Sequence, residues 1–399
     1  MFCYRNYVQR RLRKSSTRTI VMMLVAAFVC AGAAKSRAQA AAPAPDVLTL
    51  ANGDQLTGKL LREAAGTVTF HSDMIGDVTV AWDKIKSIQS SQKFAVIEQG
   101  QHVTRKTASS QVAQGTVQVA DDQVTISPAA QGAAKELATK NVQYIIDEPT
   151  FAREVEHSPG FTYGWTGSIT AAATLIQATQ NSHSFGGAVA LIRTIPTVNW
   201  LDPRNRTIID FNGTNGSVSQ PGTTTTKTNI IHFDAEHDWY VTPRFYFLVD
   251  TAFDHNYSQG LQLQQLYGAG AGYTLIKTPK QELDLKADVH FERQTFFVTP
   301  GIQPPPPLTP SKNLIGMDFG DVYMYKLVHG VVFNQGATIT PAFNNTNAWS
   351  AVATAGLLFP TYKRLGFSLG VLDNYLNDPA AGSKKNSFQF TAGVTYTLK

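Results

Sequence analysis

Four residues at every second position, His232, Asp234, Glu236 and Asp238, carry side chains that bind cations. On an extended chain they share one face at about 7 Å per step, close enough for carboxylates of neighbouring strands to hold a divalent ion. The same even spacing recurs in Glu282, Asp284, Lys286, Asp288, His290 and Glu292, and Asp250 and Asp254 stand four residues apart. Charged groups crowded on one polar face mostly pair with one another and with water, so that is the expectation, and no metal ligand is assigned. Nucleophilic chemistry would need a serine, a histidine and a polar third residue together. His183-Ser184 and His157-Ser158 are chain neighbours and His237 has no serine two residues away, so no such triad is visible among the nine histidines. No catalytic residue and no enzyme activity are expected. The run Gly268-Ala269-Gly270-Ala271-Gly272 has neither the spacing nor the following helix of a nucleotide loop, and no cofactor is expected.

The elements that would position these charges are strands. From residue 164 onward the chain repeats segments of period-two alternation separated by turn signals. Twelve segments result: 165–178, 183–194, 206–218, 228–241, 244–257, 262–277, 281–297, 313–327, 330–340, 348–359, 365–377 and 386–398. Tight connections at Thr242-Pro243, Thr278-Pro279-Lys280 and Val328-His329 face longer ones over 219–227, 298–312, 341–347 and 378–385, as in a membrane barrel. The connection 195–205 falls on the short side and is too long for it.

Alternation splits the charges cleanly. Leu283, Leu285, Ala287, Val289 and Phe291 lie against Glu282, Asp284, Lys286, Asp288 and His290. Phe245, Phe247, Val249 and Phe253 lie against Arg244, Asp250 and Asp254, and Ile231, Phe233 and Trp239 against the first charged set, with His237 breaking the apolar face. A soluble sandwich would turn the apolar face inward and a membrane barrel outward, and alternation alone does not choose. In a barrel, Asp234, Glu236, Asp238, Asp250, Asp254, Glu282, Asp284, Asp288 and Glu292 line the lumen, opposed on those strands by Arg244 and Lys286. Gly268, Gly270 and Gly272 leave room for long side chains or solvent. Tyr240, Tyr257, Trp349, Tyr362 and Tyr375 suit interface girdles.

Both chain ends decide for the membrane. The last strand alternates Phe388, Phe390, Ala392, Val394, Tyr396 and Leu398 with polar residues or glycine. Its Thr391, Gly393, Tyr396 and Leu398 fit the C-terminal signal read by the barrel-assembly machinery, with Lys399 as an extra residue. At the other end, Arg5, Arg10, Arg11, Arg13, Lys14 and Arg18 precede the apolar stretch 20–34 and an Ala38-Gln39-Ala40 cleavage site, so residues 1–40 read as a signal peptide. The stretch is too short to span a bilayer as a helix. Val29 before Cys30 speaks against a lipobox. Without the leader and its eight Lys and Arg, 26 basic residues face 29 acidic ones, so the charge of +5 becomes −3 and a nucleic-acid partner loses its support. Cys3 and Cys30 leave as well, which excludes disulfides and thiolate metal sites.

Residues 46–147 read as a periplasmic β domain of two small units, 148–163 as a linker and 164–399 as the barrel. The first unit opens on a hairpin with Asn52-Gly53 in its turn and closes on Trp82-Asp83-Lys84-Ile85. An echo sets Gly115-Thr116-Val117 beside Gly66-Thr67-Val68, and Lys140-Asn141-Val142 beside Asp83-Lys84-Ile85. Units of this size bury little core alone and must pack together.

The stretches W-Y-V-T-P-R-F-Y (239–246), Y-G-A-G-A-G-Y (267–273) and L-D-L-K-A-D-V (283–289), with Trp165-x-Gly167-Ser168, resemble the salt-induced outer-membrane protein family, a domain-of-unknown-function group of predicted barrels. L-A-N-G-D-Q-L-T-G-K-L (50–60) resembles the N-terminal segment of several members. The resemblance covers most of the mature chain and implies fold and location, but no catalytic or ligand residue. The whole reads as an all-β protein, an antiparallel transmembrane β-barrel of about twelve strands in the outer membrane of a Gram-negative bacterium, preceded by a small periplasmic β domain. Its expected partners are outer-membrane lipid and the barrel-assembly machinery. The family name suggests envelope adaptation to osmotic or ionic conditions, and the acidic lumen a narrow cation-preferring pore for small cations or solutes. Two rivals stand beside it: a non-conducting anchor whose periplasmic domain binds cell wall or a periplasmic protein, and a lipid hydrolase.

Overall fold

The computed structural model describes residues 44–101, 103–128, 133–177, 181–219, 226–297, 311–380 and 383–398. The expected leader, Lys399 and most of the loops over 219–227 and 298–312 lie outside these residues. The first part is one antiparallel sheet. Its strands are β1 (Asp46–Leu50), β2 (Gln55–Ala64), β3 (Thr67–Ser72), β4 (Gly76–Ala81), β5 (Ile85–Glu98), β6 (Ala113–Ala120), β7 (Gln123–Ser127), β8 (Lys135–Ala138) and β9 (Val142–Asp147). They run in the order β4-β3-β2-β1-β5-β6-β7-β8, and β9 bonds to both β2 and β5. That double pairing curls the sheet so that Leu48, Leu60, Phe70 and Ile88 from one half and Phe94, Val117, Ile126 and Ile145 from the other form one buried core. Asp46 is buried at its start and accepts hydrogen bonds from Leu60 N (2.8 Å), Ser90 Oγ (2.6 Å), Ser91 N (3.2 Å) and Gln92 Nε2 (2.7 Å). A buried carboxylate is tolerated when its oxygens are satisfied in this way.

The two halves do echo one another, in a register different from the one expected. Short 3-10 turns, Trp82–Lys84 and Thr139–Asn141, lead into β5 and β9. Gly115, however, corresponds to Gly58 and not to Gly66. Each of Gly58 and Gly115 sits where a Cβ would strike the carbonyl of the partner strand, at His71 and Ser127, whereas Gly66 occupies a turn with a φ of +75°. The Gly-Thr-Val similarity in sequence is thus coincidental, and close strand approach is the shared constraint.

Residues 148–163, expected as a linker, are half structured. An α-helical turn, Glu148–Phe151, is capped by Asp147, whose side chain accepts from Thr150 N, and continues as a π-helical turn, Ala152–Glu156. Phe151 and Val155 join Ala95, Ile97, Ala108, Val112 and Ile146 in a second core, and into it dips Leu201, flanked by Val198 and Trp200. These last three belong to the connection 195–205. Its excess length has a function: it is the surface on which the N-terminal domain sits.

The second part is a closed barrel of β10 (Trp165–Gln177), β11 (Asn181–Ile195), β12 (Asn205–Ser219), β13 (Thr226–Tyr240), β14 (Phe245–Asn256), β15 (Leu261–Lys277), β16 (Gln281–Phe296), β17 (Ser311–Lys326), β18 (Val332–Thr340), β19 (Ser350–Tyr362), β20 (Leu365–Leu376) and β21 (Asn386–Leu398). Every neighbouring pair is antiparallel, and β21 closes on β10 from Gly167 opposite Leu398 to Ala171 opposite Val394. Each of the twelve expected segments is a strand. Outward-facing Ile169, Phe211, Phe247, Leu285, Val289, Phe319 and Phe390 are each 40–63% exposed. An apolar belt around a closed barrel whose other face is polar is a surface made for lipid. Trp239, Tyr323 and Tyr325 lie near strand ends on this outer face. Tyr240 does not join them: alternation turns it inward, its ring 5.0 Å from that of Tyr246.

Candidate functional site: the charged wall of the lumen

The chemistry-bearing residues concentrate on β12 to β17. Alternation puts all nine expected lumen acids, Asp234, Glu236, Asp238, Asp250, Asp254, Glu282, Asp284, Asp288 and Glu292, on the face opposite the apolar belt. Register then sets like charges directly across from one another: Asp210 beside Asp234, Glu236 beside Asp250, Asp288 beside Asp318. Such pairs are unfavourable unless something neutralises them.

Much of the neutralisation comes from a residue that sequence reasoning passed over. Arg206 on β12 reaches Asp238 Oδ2 with Nε (2.7 Å), Glu282 Oε1 with Nη1 (3.4 Å) and Asp284 Oδ2 with Nη2 (2.7 Å). Its guanidinium also lies 5.1 Å from the centre of the Tyr246 ring and 5.7 Å from that of Tyr240. The planar fork lets one arginine serve three carboxylates, which a lysine's point charge does not do. Lys286 Nζ donates to Glu236 Oε2 (2.6 Å), and His232 lies between Asp254 (2.6 Å from Nδ1) and Asp234 (3.0 Å from Nε2). Gln294 Nε2 donates to Glu292 (2.7 Å). Arg244, expected to oppose these acids, sits in an exposed turn and donates to the carbonyl of Leu275. Arg206 escaped notice because its strand carries few charges and its partners lie up to 78 residues away in sequence, from 206 to 284.

The glycine stripe of β15 makes this wall possible. A Cβ on Gly272 would fall inside the Tyr246 ring, one on Gly270 would strike the carbonyl of Ala287, and one on Gly268 would collide with Asp250 and come within 2.9 Å of Asp288 Oδ1. Side chains from β14 and β16 therefore meet across β15 as if it were absent. The consequence is a dry layer: Asp238 and Tyr246 are 0% exposed, Asp284 4%, Asp288 8% and Glu292 1%. The opposite wall, built from β18 to β21 and β10, presents small neutral residues, with Asn334 and Thr354 exposed.

A second arrangement brings one serine to a histidine on a neighbouring strand. Across β11 and β12, His183 stands opposite Ser217, and Ser217 Oγ lies 3.4 Å from Nδ1 and 3.3 Å from Nε2. Nearly equal distances to the two nitrogens put the hydroxyl on the axis of neither lone pair. Among the described residues no third side chain holds the ring, and the pair lacks the alignment of a nucleophile with its base. On the same outer face His237 Nδ1 is 2.8 Å from Thr207 Oγ1 and its ring packs edge-on to Trp239, which accounts for a histidine in the apolar belt.

The C-terminal signal residues lie on β21, Tyr396 opposite Ile169 and Leu398 opposite Gly167 at the closure seam, with Thr391 and Gly393 on the inner face above them.

Residues 169–398, nearly the whole barrel, match the family described as "Protein of unknown function, DUF481". The chain belongs to this family. Among solved structures, this DUF481 barrel is similar to the translocator domain of the autotransporter NalP from Neisseria meningitidis (12% identity, 58% of this chain and 87% of that one, TM-score 0.32). It is similar also to the β domain of the Bordetella autotransporter BrkA (11%, 59% and 98%, TM-score 0.30). An outer-membrane channel from Pseudomonas putida F1 gives 12% identity, 59% and 95% coverage, and a TM-score of 0.31. No curated protein matches the chain. The architecture of the DUF481 barrel rests on its own hydrogen-bonded closure.

Proposed function

We propose that this protein is a non-enzymatic outer-membrane barrel that serves as a fixed seat for its N-terminal β domain on the periplasmic side, and that the barrel does not act as an acid-selected ion pore. The observation that carries this reading is the packing of the domain onto the connection between β11 and β12. Glu154 is fully buried there and accepts from Thr197 N and Thr197 Oγ1, both at 2.7 Å, while Arg204 Nη1 donates to the carbonyl of Val155 at 3.1 Å and Nη2 to that of Glu154. Trp200 packs near Tyr144 with Arg62 5.3 Å above its ring. A pore needs no such clamp, whereas an anchor presenting a module to cell wall or to a periplasmic protein does. Five of the nine lumen acids, Glu236, Asp238, Asp284, Asp288 and Glu292, are buried, and the better exposed Glu282, Asp234 and Asp254 are paired with Arg206 or His232, which supports the same reading, because groups shielded or neutralised in this way select few ions. The likeness to salt-induced outer-membrane proteins supports a place in envelope adaptation to osmotic or ionic conditions.

The test is planar-bilayer recording with the refolded full-length mature chain, its fold verified by heat-modifiable migration. Silence is expected. Discrete cation-selective steps that lose selectivity when Asp284 and Asp288 are changed to Asn would overturn the anchor reading. The exposed Asn334 and Thr354 on the neutral wall are what favours the pore as second reading. Phospholipid hydrolysis that disappears with Ser217→Ala would instead establish an enzyme.

A further inference from the structure

We infer that Asp288, His290 and Asp318, with Asp250 reaching toward Asp288, form a binding site for one divalent transition-metal ion in the lumen wall. The three side chains come from facing positions of β16 and β17, and their ligand atoms all lie within 4.8 Å of one another. His290 is 0% exposed through its side chain, and its Nδ1 stands 3.5 Å from Asp288 Oδ1 and 3.6 Å from Asp318 Oδ1. Those separations are too long for good hydrogen bonds. They match the edge of a tetrahedron of ligands about 2.1 Å from a metal, which is roughly 3.4 Å.

The polar accounting points the same way. Neither ring nitrogen of His290 has a hydrogen-bond partner in the protein, and the Oδ1 atoms of Asp288, Asp318 and Asp250 have none either. Elsewhere on the wall acids meet hydrogen-bonded partners: Arg206 for Asp238, Glu282 and Asp284, Lys286 for Glu236, His232 for Asp234 and Asp254, and Gln294 for Glu292. Here Asp288 and Asp318 converge on one imidazole at distances too long for hydrogen bonds, with no arginine or lysine on them. Buried carboxylate oxygens and ring nitrogens left without partners are costly, and a metal ion between them would satisfy all of them at once.

Two glycines shape the pocket. Gly268 lets Asp250 reach over β15 toward Asp288, and Gly316, opposite His290, leaves the space in which a Cβ would stand 3.0 Å from Nε2. Asp318, with 14% side-chain exposure, is the member open to the lumen and gives the ion its way in. One imidazole with two or three carboxylates suits Zn²⁺, Mn²⁺, Fe²⁺ or Co²⁺ better than Ca²⁺ or Mg²⁺, which take oxygen ligands alone.

The test uses the chelator-stripped full-length mature chain, refolded in detergent, with Co²⁺ as a visible probe and Zn²⁺ as competitor. The expected result is one Co²⁺ per chain with a ligand-field absorption band that Zn²⁺ displaces, and a melting temperature raised by Zn²⁺. Asp318→Asn, which keeps volume and fold, weakens binding by roughly 100-fold and His290→Ala abolishes the band. His71→Ala, which removes the exposed histidine beside Asp73 and Asp77 in the N-terminal domain, leaves stoichiometry and band unchanged. The inference fails if folded protein binds no Co²⁺ or Zn²⁺, if His71→Ala and not His290→Ala removes the binding, or if Ca²⁺ and Mg²⁺ bind as tightly. Conductance is untouched by any of these outcomes, so the metal site and the anchor stand or fall separately.

Discussion

Changing Glu154 to Ala should release the N-terminal domain from the barrel while leaving both folded. Glu154 accepts two hydrogen bonds from Thr197, and Arg153 Nε adds a third at 2.8 Å. Hydrogen bonds to a charged acceptor contribute about 1.5–3 kcal/mol each. The Arg153 contact adds little, because that side chain is 47% exposed and screened. The two Thr197 bonds alone thus amount to about 3 kcal/mol at the low end, or roughly a 150-fold fall in the ratio of docked to undocked molecules. Hydrogen exchange should report it: amides of 197–203 and 151–156 exchange faster by that factor, while those of β16 and of the N-terminal core keep their protection. Thr197→Val should be non-additive with Glu154→Ala in a double-mutant cycle, since it removes the Oγ1 bond, one of the two that Glu154→Ala removes, and keeps the one from the backbone N–H. Acid should mimic the variant. Burial pushes the Glu154 carboxyl up, but the bonds from Arg153 and Thr197 outweigh it and hold the carboxyl below its ordinary value of 4.5. A depressed folded value means the stabilisation is complete above about pH 4.5 and is lost as pH falls through the folded pKa. Unchanged exchange at 197–203 in Glu154→Ala, or full additivity with Thr197→Val, would refute the clamp.

Three further substitutions test the physical reading of the two parts. Glu63 is buried in the N-terminal sheet, and burial raises its carboxyl to about 7 although Gly66 N donates to it at 3.1 Å. A raised folded value means the domain loses stability as pH climbs from 4.5 through 7, on the order of 3 kcal/mol in all. Glu63→Gln should therefore raise the melting temperature of the domain at pH 8 and change it little at pH 4.5, and equal effects at both would refute the assignment. In the barrel, Gly270→Ala drives a methyl into the Ala287 carbonyl and should cut the heat-modifiable fraction sharply, whereas Gly370→Ala, with its nearest neighbour 4.0 Å away, should fold as the parent does. Equal folding of the two would show that the wall can yield at β15.

The barrel was legible because its information is local. Alternation such as Leu283 to Phe291 against Glu282 to His290 fixes strand and face at once, and twelve such segments in succession leave one architecture. What could not be read depends on distant pairs. Arg206 meets acids on β13 and β16, His290 meets Asp318 on β17, and Ser217 meets His183 on β11, contacts set by register and glycine clearance and not by spacing along the chain. Tyr240 was misplaced for a simpler reason. Aromatic residues near strand ends serve membrane girdles only on the outer face, and a shift of one residue moves that role to Trp239. The clamp left a trace in the sequence as a connection too long for its side of the barrel, and the unexplained length was the signal.

The asymmetry of the lumen bears on any conductance that is found. On β18 and β19 the inward positions are Asn334, Gly336, Thr338, Val352, Thr354 and Gly356, facing one another in register with no charge among them. On the other side Arg206 and the tyrosines cover Asp238 and Asp284, while Glu282 and Asp234 keep 37% and 35% of their side chains exposed. A solute path along the neutral wall would pass Asp284 and Asp288, only 4–8% exposed, and the more exposed Glu282, Asp234 and Asp254, whose charges Arg206 and His232 offset. Its reversal potential under a salt gradient should lie near zero, and strong cation preference would mean that the charged wall opens. Acid content in a sequence therefore does not convert into pore selectivity. What counts is which carboxylates water can reach, and here glycine clearance on β15 lets the side chains of β14 and β16 close over most of them.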